Sequence, residues 1–310
     1  MKNLRRGAED YLTLRRGLGF KLKRHGRFVR EFISWLDSCG ESRITTVLAL
    51  QWATQPQNLQ PSEWAARLSA VRGFARYWNA IDGTSEIPPE GLLPFRNRRR
   101  TPYLYSNTEI QRLLAAAKSM HAQFKLHPLT YYCLLGLLTV TGLRISEALN
   151  LESRDIQWPE SLLIIRTSKF GKSRLVPLDR TTKDVLAEYA TSRNRLFPDH
   201  PTAMFFPSRT GARLDPGQVR RVFYCLSRQI GIRGATESRG PRLHDFRHRF
   251  AVETLLRWYR GGEDVWQRLP ILSTYLGHGH VTDTYWYLSN TPELMEAAGE
   301  RLEKRWEIRP

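Results

Sequence analysis

The 310-residue chain has only three cysteines, Cys39, Cys133 and Cys225, far apart and with no Cys-x-x-Cys spacing. That excludes a disulfide framework and a zinc ribbon, and fits a reducing compartment. Long apolar runs are missing as well. The most apolar stretch, LTYYCLLGLLTVTGL over 129–143, has 15 residues with threonines among them, short of the roughly 20 that a bilayer span needs. The opening MKNLRRGAEDYL has no apolar core of the signal-peptide kind, so a cytoplasmic location without a membrane partner is expected. Acidic residues are few, 30 Asp and Glu against 48 Lys and Arg, for a net charge of +18. Such an excess disfavours an ordinary near-neutral enzyme and makes a polyanion the leading expected partner. Repeats and low-complexity tracts are absent too.

What is present is enough apolar residue, 41% of the chain, for a core in each of two domains. Residues 1–85 read as a helical domain. Phe28, Val29, Phe32, Ile33 and Leu36 repeat with the period of a buried helix face, and Trp64, Leu68, Val71, Phe74 and Trp78 do the same on a helix starting near Ser62, a candidate N-cap. Ten Lys or Arg against two acids in residues 1–30, with Lys21, Lys23, Arg24 and Arg27 interleaved among the apolar positions, predict a basic helical face. Residues 86–104 read as a linker: prolines cluster there beside Arg96, Arg98, Arg99 and Arg100. A second domain, 105–310, opens near Ser106 with two helices. The period then changes, and Ile164, Ile165, Leu175 and Val176 around a Gly-containing turn predict a β-hairpin with a basic tip. Helices resume at Asp215-Pro216, over HDFRHRFAVETLL, and over 291–306, where Leu294, Met295, Ala298, Leu302 and Trp306 form a stripe. The fold class is therefore mainly α with a small antiparallel sheet.

Two patterns mislead. Gly171-Lys172-Ser173 resembles the end of a phosphate-binding loop, but the glycine required five residues upstream is Arg166. His244 and His248 lie at i, i+4, and His278 and His280 follow in LGHGH, so a metal site is conceivable; Arg247 inside the first motif opposes it, since a guanidinium beside a dication is unfavourable. The other chemistry on offer is that of an anionic substrate. Phosphodiester cleavage must stabilise the extra negative charge of a pentavalent transition state, which fixed Arg, Lys and His donors can do. Arg144 in TGLRISEALNL sits where an apolar segment meets a helix start. His244 and Arg247 share a face at i, i+3, His278 adds a further donor, Lys169 lies on the hairpin turn, and a tyrosine, Tyr285 or Tyr287, is then available as nucleophile.

The ordered segments TGLRISEALNL, SKFGKSRLVPL, LHDFRHRFA and LGHGHVTDTYWYL resemble the tyrosine recombinase, or phage integrase, family over the C-terminal two-thirds of the chain. The resemblance implies that Arg144 and Arg247 clamp the scissile phosphate and that Lys169, with Lys172 as competitor, protonates the leaving 5′-oxygen. It assigns proton transfer to His244, a phosphate hydrogen bond to His278, and the nucleophile to Tyr287, nine residues after that histidine, with Trp286 and Leu288 packing around it. Lys172 and Arg98–Arg100 join the basic helical face as expected DNA contacts. No cofactor, metal or nucleotide is implied. The expected partners are double-stranded DNA with inverted-repeat core sites and further copies of the chain or related recombinase subunits, a dimer on each site and a tetramer in synapsis. The N-terminal 85 residues resemble, less specifically, the helical domain that faces the catalytic domain across the duplex. The short N-terminus leaves little room for an arm-type DNA-binding domain, and the tail is similar to recombinases of bacterial mobile elements, working at the nucleoid. Other classes stay open: an architectural DNA-binding protein without chemistry, a type IB topoisomerase-like enzyme, and a metal-dependent nuclease. The C-terminal helix packs either on its own domain or on a neighbouring subunit.

Overall fold

A computed structural model describes residues 3–93, 101–166, 173–197, 202–237, 240–288 and 292–307. The chain divides into two compact units, 1–100 and 101–310.

The first unit is built from α1 (Leu4–Gly17), α2 (Lys23–Ser38), α3 (Thr46–Thr54) and α4 (Pro61–Asp82). Its core is the one the periodicity marks except at Trp64, which is half-buried with its Nε1 on Pro56 O: Phe28, Phe32 and Leu36 of α2 are buried with Leu68, Val71, Phe74 and Trp78 of α4. Helix α4 begins one residue ahead of the expected cap. Pro61 takes the first helical position and Gln60 the N-cap, without a side-chain bond, because proline's fixed φ suits a first turn and its missing N–H has no helical partner there anyway. Four arginines on this unit's surface face carboxylates: Arg30 reaches Glu9 at 2.6 Å, Arg27 reaches Glu31 at 3.4 Å, and Arg5 and Arg24 pair with Asp37 and Glu63. The basic face is thus partly neutralised by the helices it holds together. Lys21 and Lys23 are exposed.

The second unit opens with α5 (Asn107–Ser119), started by a capping box in which Ser106 and Glu109 bond reciprocally to each other's backbone. Helix α6 (His127–Thr141) is buried on nearly all sides, through Tyr131, Leu134, Leu135 and Leu138. A short α7 (Ile145–Leu149) leads to strands β1 (Ile156–Gln157), β2 (Leu162–Ile165) and β3 (Arg174–Pro177), an antiparallel sheet in that order with Leu163 opposite Val176 and Ile165 opposite Arg174. The hairpin was legible in the sequence. Strand β1 was not, since its two residues are too few to display alternation.

Helices α8 (Arg180–Leu196), α9 (Pro216–Gln229, capped by Asp215), α10 (Asp245–Arg260), α11 (Val265–Leu276), α12 (Thr282–Leu288) and α13 (Pro292–Glu307) complete the unit. The last four form a satellite core around Leu255, Leu272 and Leu276. Helix α13 lies against α10 of its own chain with Leu294 buried, whereas Met295, expected on the same stripe, is exposed. Among the described residues no helix is long and apolar enough to cross a membrane.

Candidate active site

Two left-handed glycines shape the site. Gly142 ends α6 at φ +60°, and a Cβ there would lie 2.6 Å from the Phe250 ring. The turn needs glycine for both reasons. It sets Arg144 at the N-cap of α7 and points the Gly142 carbonyl at Arg247, whose Nη1 donates to it at 3.1 Å. Gly277 ends α11 at φ +65°, where a Cβ would lie 2.9 Å from Arg174 Nη1.

The C-terminal carbonyls of a helix lack intrahelical partners and carry its negative dipole end. Here they receive guanidinium groups. Arg174 Nε donates to Tyr275 O at 2.6 Å, Arg247 Nη2 to Leu276 O at 2.5 Å, and Arg144 to Leu276 O at 3.3 Å and Gly277 O at 3.0 Å. Among the described residues, the one carboxylate bonded into this group is Glu147. It accepts from Arg144 Nη1 at 2.8 Å and from both terminal nitrogens of Arg174 at 3.0 and 2.8 Å. Burial pushes the Glu147 carboxyl up, but the Arg174 bonds and charge, with those of Arg144, more than reverse it and hold it down at about 2. Arg247 is 1% exposed; burial lowers its pKa to about 10, against the pull of Tyr287 and Glu147, so it stays protonated at neutral pH. Three cations around one anion leave the cluster with a net +2.

The histidines are neutral. His244 stands at the N-cap of α10, not inside the helix, and His248 follows on the first turn, nine-tenths buried. His278 Nδ1 lies 2.8 Å from Thr284 Oγ1, which leaves its Nε2 for other partners. Desolvation first, and the neighbouring Arg247 second, push His244 and His278 down to about 4; desolvation and His244 push His248 to about 3.

Tyr287 is 5% exposed and its phenol is hydrogen-bonded to Arg247. Its ring meets His248 edge-on at 5.2 Å and stacks on His278 at 6.0 Å. Burial raises the phenol pKa, and the Arg247 charge and hydrogen bond, then Arg144, oppose the rise. Tyr285 is 43% exposed and packs on Trp266 at 6.1 Å; residues two apart lie about 200° apart around a helix. Trp286 and Leu288 pack, half-buried, against the satellite core.

The fold therefore gathers Arg144, His244, Arg247, His278 and Tyr287 in one place. Lys169, Lys172 and Arg98–Arg100 lie outside the described residues. Of the expected contacts on the helical unit, Arg24 and Arg27 already serve ion pairs. Sequence reasoning passed over Arg174, and it considered His248 only as a metal ligand. A strand residue in SRLVPL carries no local sign of a partner 27 positions upstream; the one cue was a basic residue at the base of the hairpin. Among the described residues no three His, Cys, Asp or Glu are gathered so as to hold a metal ion.

Such a set of buried guanidinium groups, neutral histidines and one phenol can bind an oxyanion and attack it. Comparison with known proteins gives the family. The sequence model of the phage integrase family matches residues 104–293. A protein of Sinorhizobium fredii (strain NBRC 101917 / NGR234) named integrase/recombinase y4rB is 52% identical over 100% of both chains. The tyrosine recombinase XerD of Caulobacter vibrioides is 31% identical over 79% of this chain and 74% of its own. Among solved structures, the XerH site-specific recombinase bound to palindromic difH substrate, a post-cleavage complex, superposes with a TM-score of 0.65 at 18% identity over 88% of this chain and 78% of that one. The Tn1549 transposon integrase in complex with transposon right-end DNA gives 0.65 at 14% identity over 96% and 98%. Fold, family match and full-length relative agree: the chain belongs to the phage integrase family of tyrosine recombinases.

Proposed function

We propose that this chain is a site-specific DNA recombinase that cuts and rejoins DNA through a covalent 3′-phosphotyrosyl link. The observation that carries the reading is the Tyr287 phenol, buried and hydrogen-bonded to Arg247 among neutral histidines and three arginines. Arg144 and Arg247 take the non-bridging oxygens of the scissile phosphate, where a planar guanidinium suits a tetrahedral anion. Tyr287 Oη attacks phosphorus while the bond to the 5′-oxygen breaks. The phenol proton passes to neutral His244, and the 5′-oxygen takes its proton from Lys169, which lies between β2 and β3 in the sequence, with Lys172 the alternative donor. His278, steered by Thr284, hydrogen-bonds the phosphate through Nε2.

The phosphotyrosyl ester keeps the energy of the broken bond, so resealing needs no nucleotide. The 5′-hydroxyl of a partner duplex attacks it, Tyr287 leaves, and repetition on the second strands resolves a Holliday junction. The DNA complexes of the XerH and Tn1549 relatives support double-stranded DNA as substrate. Inverted-repeat sites, a dimer on each and a tetramer in synapsis complete the reading, with the helical unit and the Arg-rich segment 96–100 contacting phosphates.

The test uses nicked suicide duplexes taken from the ends of the element encoding the chain, incubated in EDTA and run on a denaturing gel. A covalent band lost in Tyr287→Phe and kept in Tyr285→Phe is expected. No band alongside intact sequence-specific binding favours the architectural alternative, and relaxation of supercoiled plasmid lacking any site favours the topoisomerase one. Dependence on Tyr285 instead overturns the assignment of the nucleophile.

A further inference from the structure

We infer that Arg174 is a positioning residue that neutralises Glu147 and so keeps the charge of Arg144 available to the scissile phosphate. The inference rests on the recombinase reading and adds a residue to it.

Glu147 shares a single carboxylate between two guanidinium groups, and the sharing is unequal. Arg174 takes both oxygens, Nη1 to Oε1 and Nη2 to Oε2, in the fork geometry that makes such pairs strong, while Arg144 uses one nitrogen on Oε1. Arg174 is also the more enclosed, with its side chain 9% exposed against 20% for Arg144. Were Glu147 and Arg144 alone, they would form a neutral pair, and an incoming phosphate would compete with a carboxylate 2.8 Å from the same guanidinium. With Arg174 present the trio carries +1, and the more open cation is the one left to the anion. Arg174 Nε at the same time holds Tyr275 O, next to the carbonyls that Arg144 itself binds, Leu276 and Gly277. One side chain on β3, at the foot of the hairpin, therefore sets both the charge and the position of the guanidinium that faces the substrate.

The carboxylate and Arg174 act as a unit, so their variants are non-additive in a defined direction. The experiment measures the rate of covalent adduct formation on a nicked suicide duplex, in single turnover at saturating protein, with thermal melts of every variant. Arg174→Met slows the adduct about ten-fold or more, because Glu147 then cancels Arg144. Glu147→Gln/Arg174→Met recovers most of that loss, which a merely structural Arg174 would not permit. Arg174→Lys, charged but unable to fork, falls between Arg174→Met and the unmodified chain. Should Arg174→Met fail to fold, Glu147→Gln and Glu147→Gln/Arg174→Met carry the test, and agreement between their rates within about three-fold is expected. An unchanged rate in a folded Arg174→Met, or a double variant no faster than the single one, overturns this inference and leaves the recombinase reading standing. An unmodified chain that forms no adduct overturns both.

Discussion

Two sets of arginines, one on the surface of the helical unit and one at the candidate site of the second unit, are held in opposite ways. In the helical unit Arg5, Arg24, Arg27 and Arg30 each face their own carboxylate at the surface. In the second unit Arg144 and Arg174 share the buried Glu147, and together with the buried Arg247 they bind main-chain oxygens of Tyr275, Leu276, Gly277 and Gly142. An exposed pair is screened, is worth little, and ends with its charge cancelled. A buried guanidinium satisfied by carbonyls is desolvated and geometrically fixed while its charge remains. The first arrangement fastens helices together. The second holds positive potential ready for an anion, with little rearrangement when the anion arrives.

The comparison breaks most severely at Glu147. Glu147→Ala should cost about 3–5 kcal/mol of stability in urea titrations, because it strips the shared counter-ion from buried cations, whereas Glu9→Ala on the exposed pair should cost under about 1 kcal/mol. Arg247→Leu should slow adduct formation about 100- to 1,000-fold, the usual loss on removing a donor aimed at developing negative charge. Arg30→Gln should leave the single-turnover rate on saturating DNA within about three-fold.

Acid should sharpen the contrast. His244, His248 and His278 bind protons below about 4, 3 and 4 in the folded chain but near 6.5 when unfolded. Between those values the unfolded state holds more protons, so stability falls as pH drops from about 6.5 towards 4, by up to about 1.4 kcal/mol per histidine per pH unit. Glu147, with its pKa held at about 2, stabilises the fold above its unfolded value, and that share is lost from about 4.5 downward. Urea titrations at pH 7 and pH 5 should show the drop, and His248→Gln should lower its slope by about one proton. The smallest effect lies on the exposed basic face: Lys21→Ala and Lys23→Ala should each reduce the salt slope of duplex binding by about one unit, uniformly across sequences.

How much of this was readable beforehand follows the range of each signal. Helix α2 shows its buried face within nine residues, Phe28 to Leu36, and the capping box at Ser106 and Glu109 lies within four, Ser106 to Glu109. Tyr287, Arg144, Arg247 and His278 were legible because their order and spacing resemble a known family. Arg174 was not, because its meaning lies in Glu147 and in the Tyr275 carbonyl 101 positions away, and local periodicity has no access to either. The same holds for α13, whose stripe is visible while the surface it covers is not, and for Arg24, whose basic pattern conceals Glu63 of α4, which meets it.

The cluster also reports on folding. Its members come from α7 with the turn before it, from β3, from α10 and from the end of α11, segments separated by tens of residues and joined only when sheet and helices have docked. No one of these segments carries the assembled charge, and the Tyr287 phenol comes from yet another, α12. On the proposed assignment, a nascent chain that has not yet brought these segments together has no cutting centre.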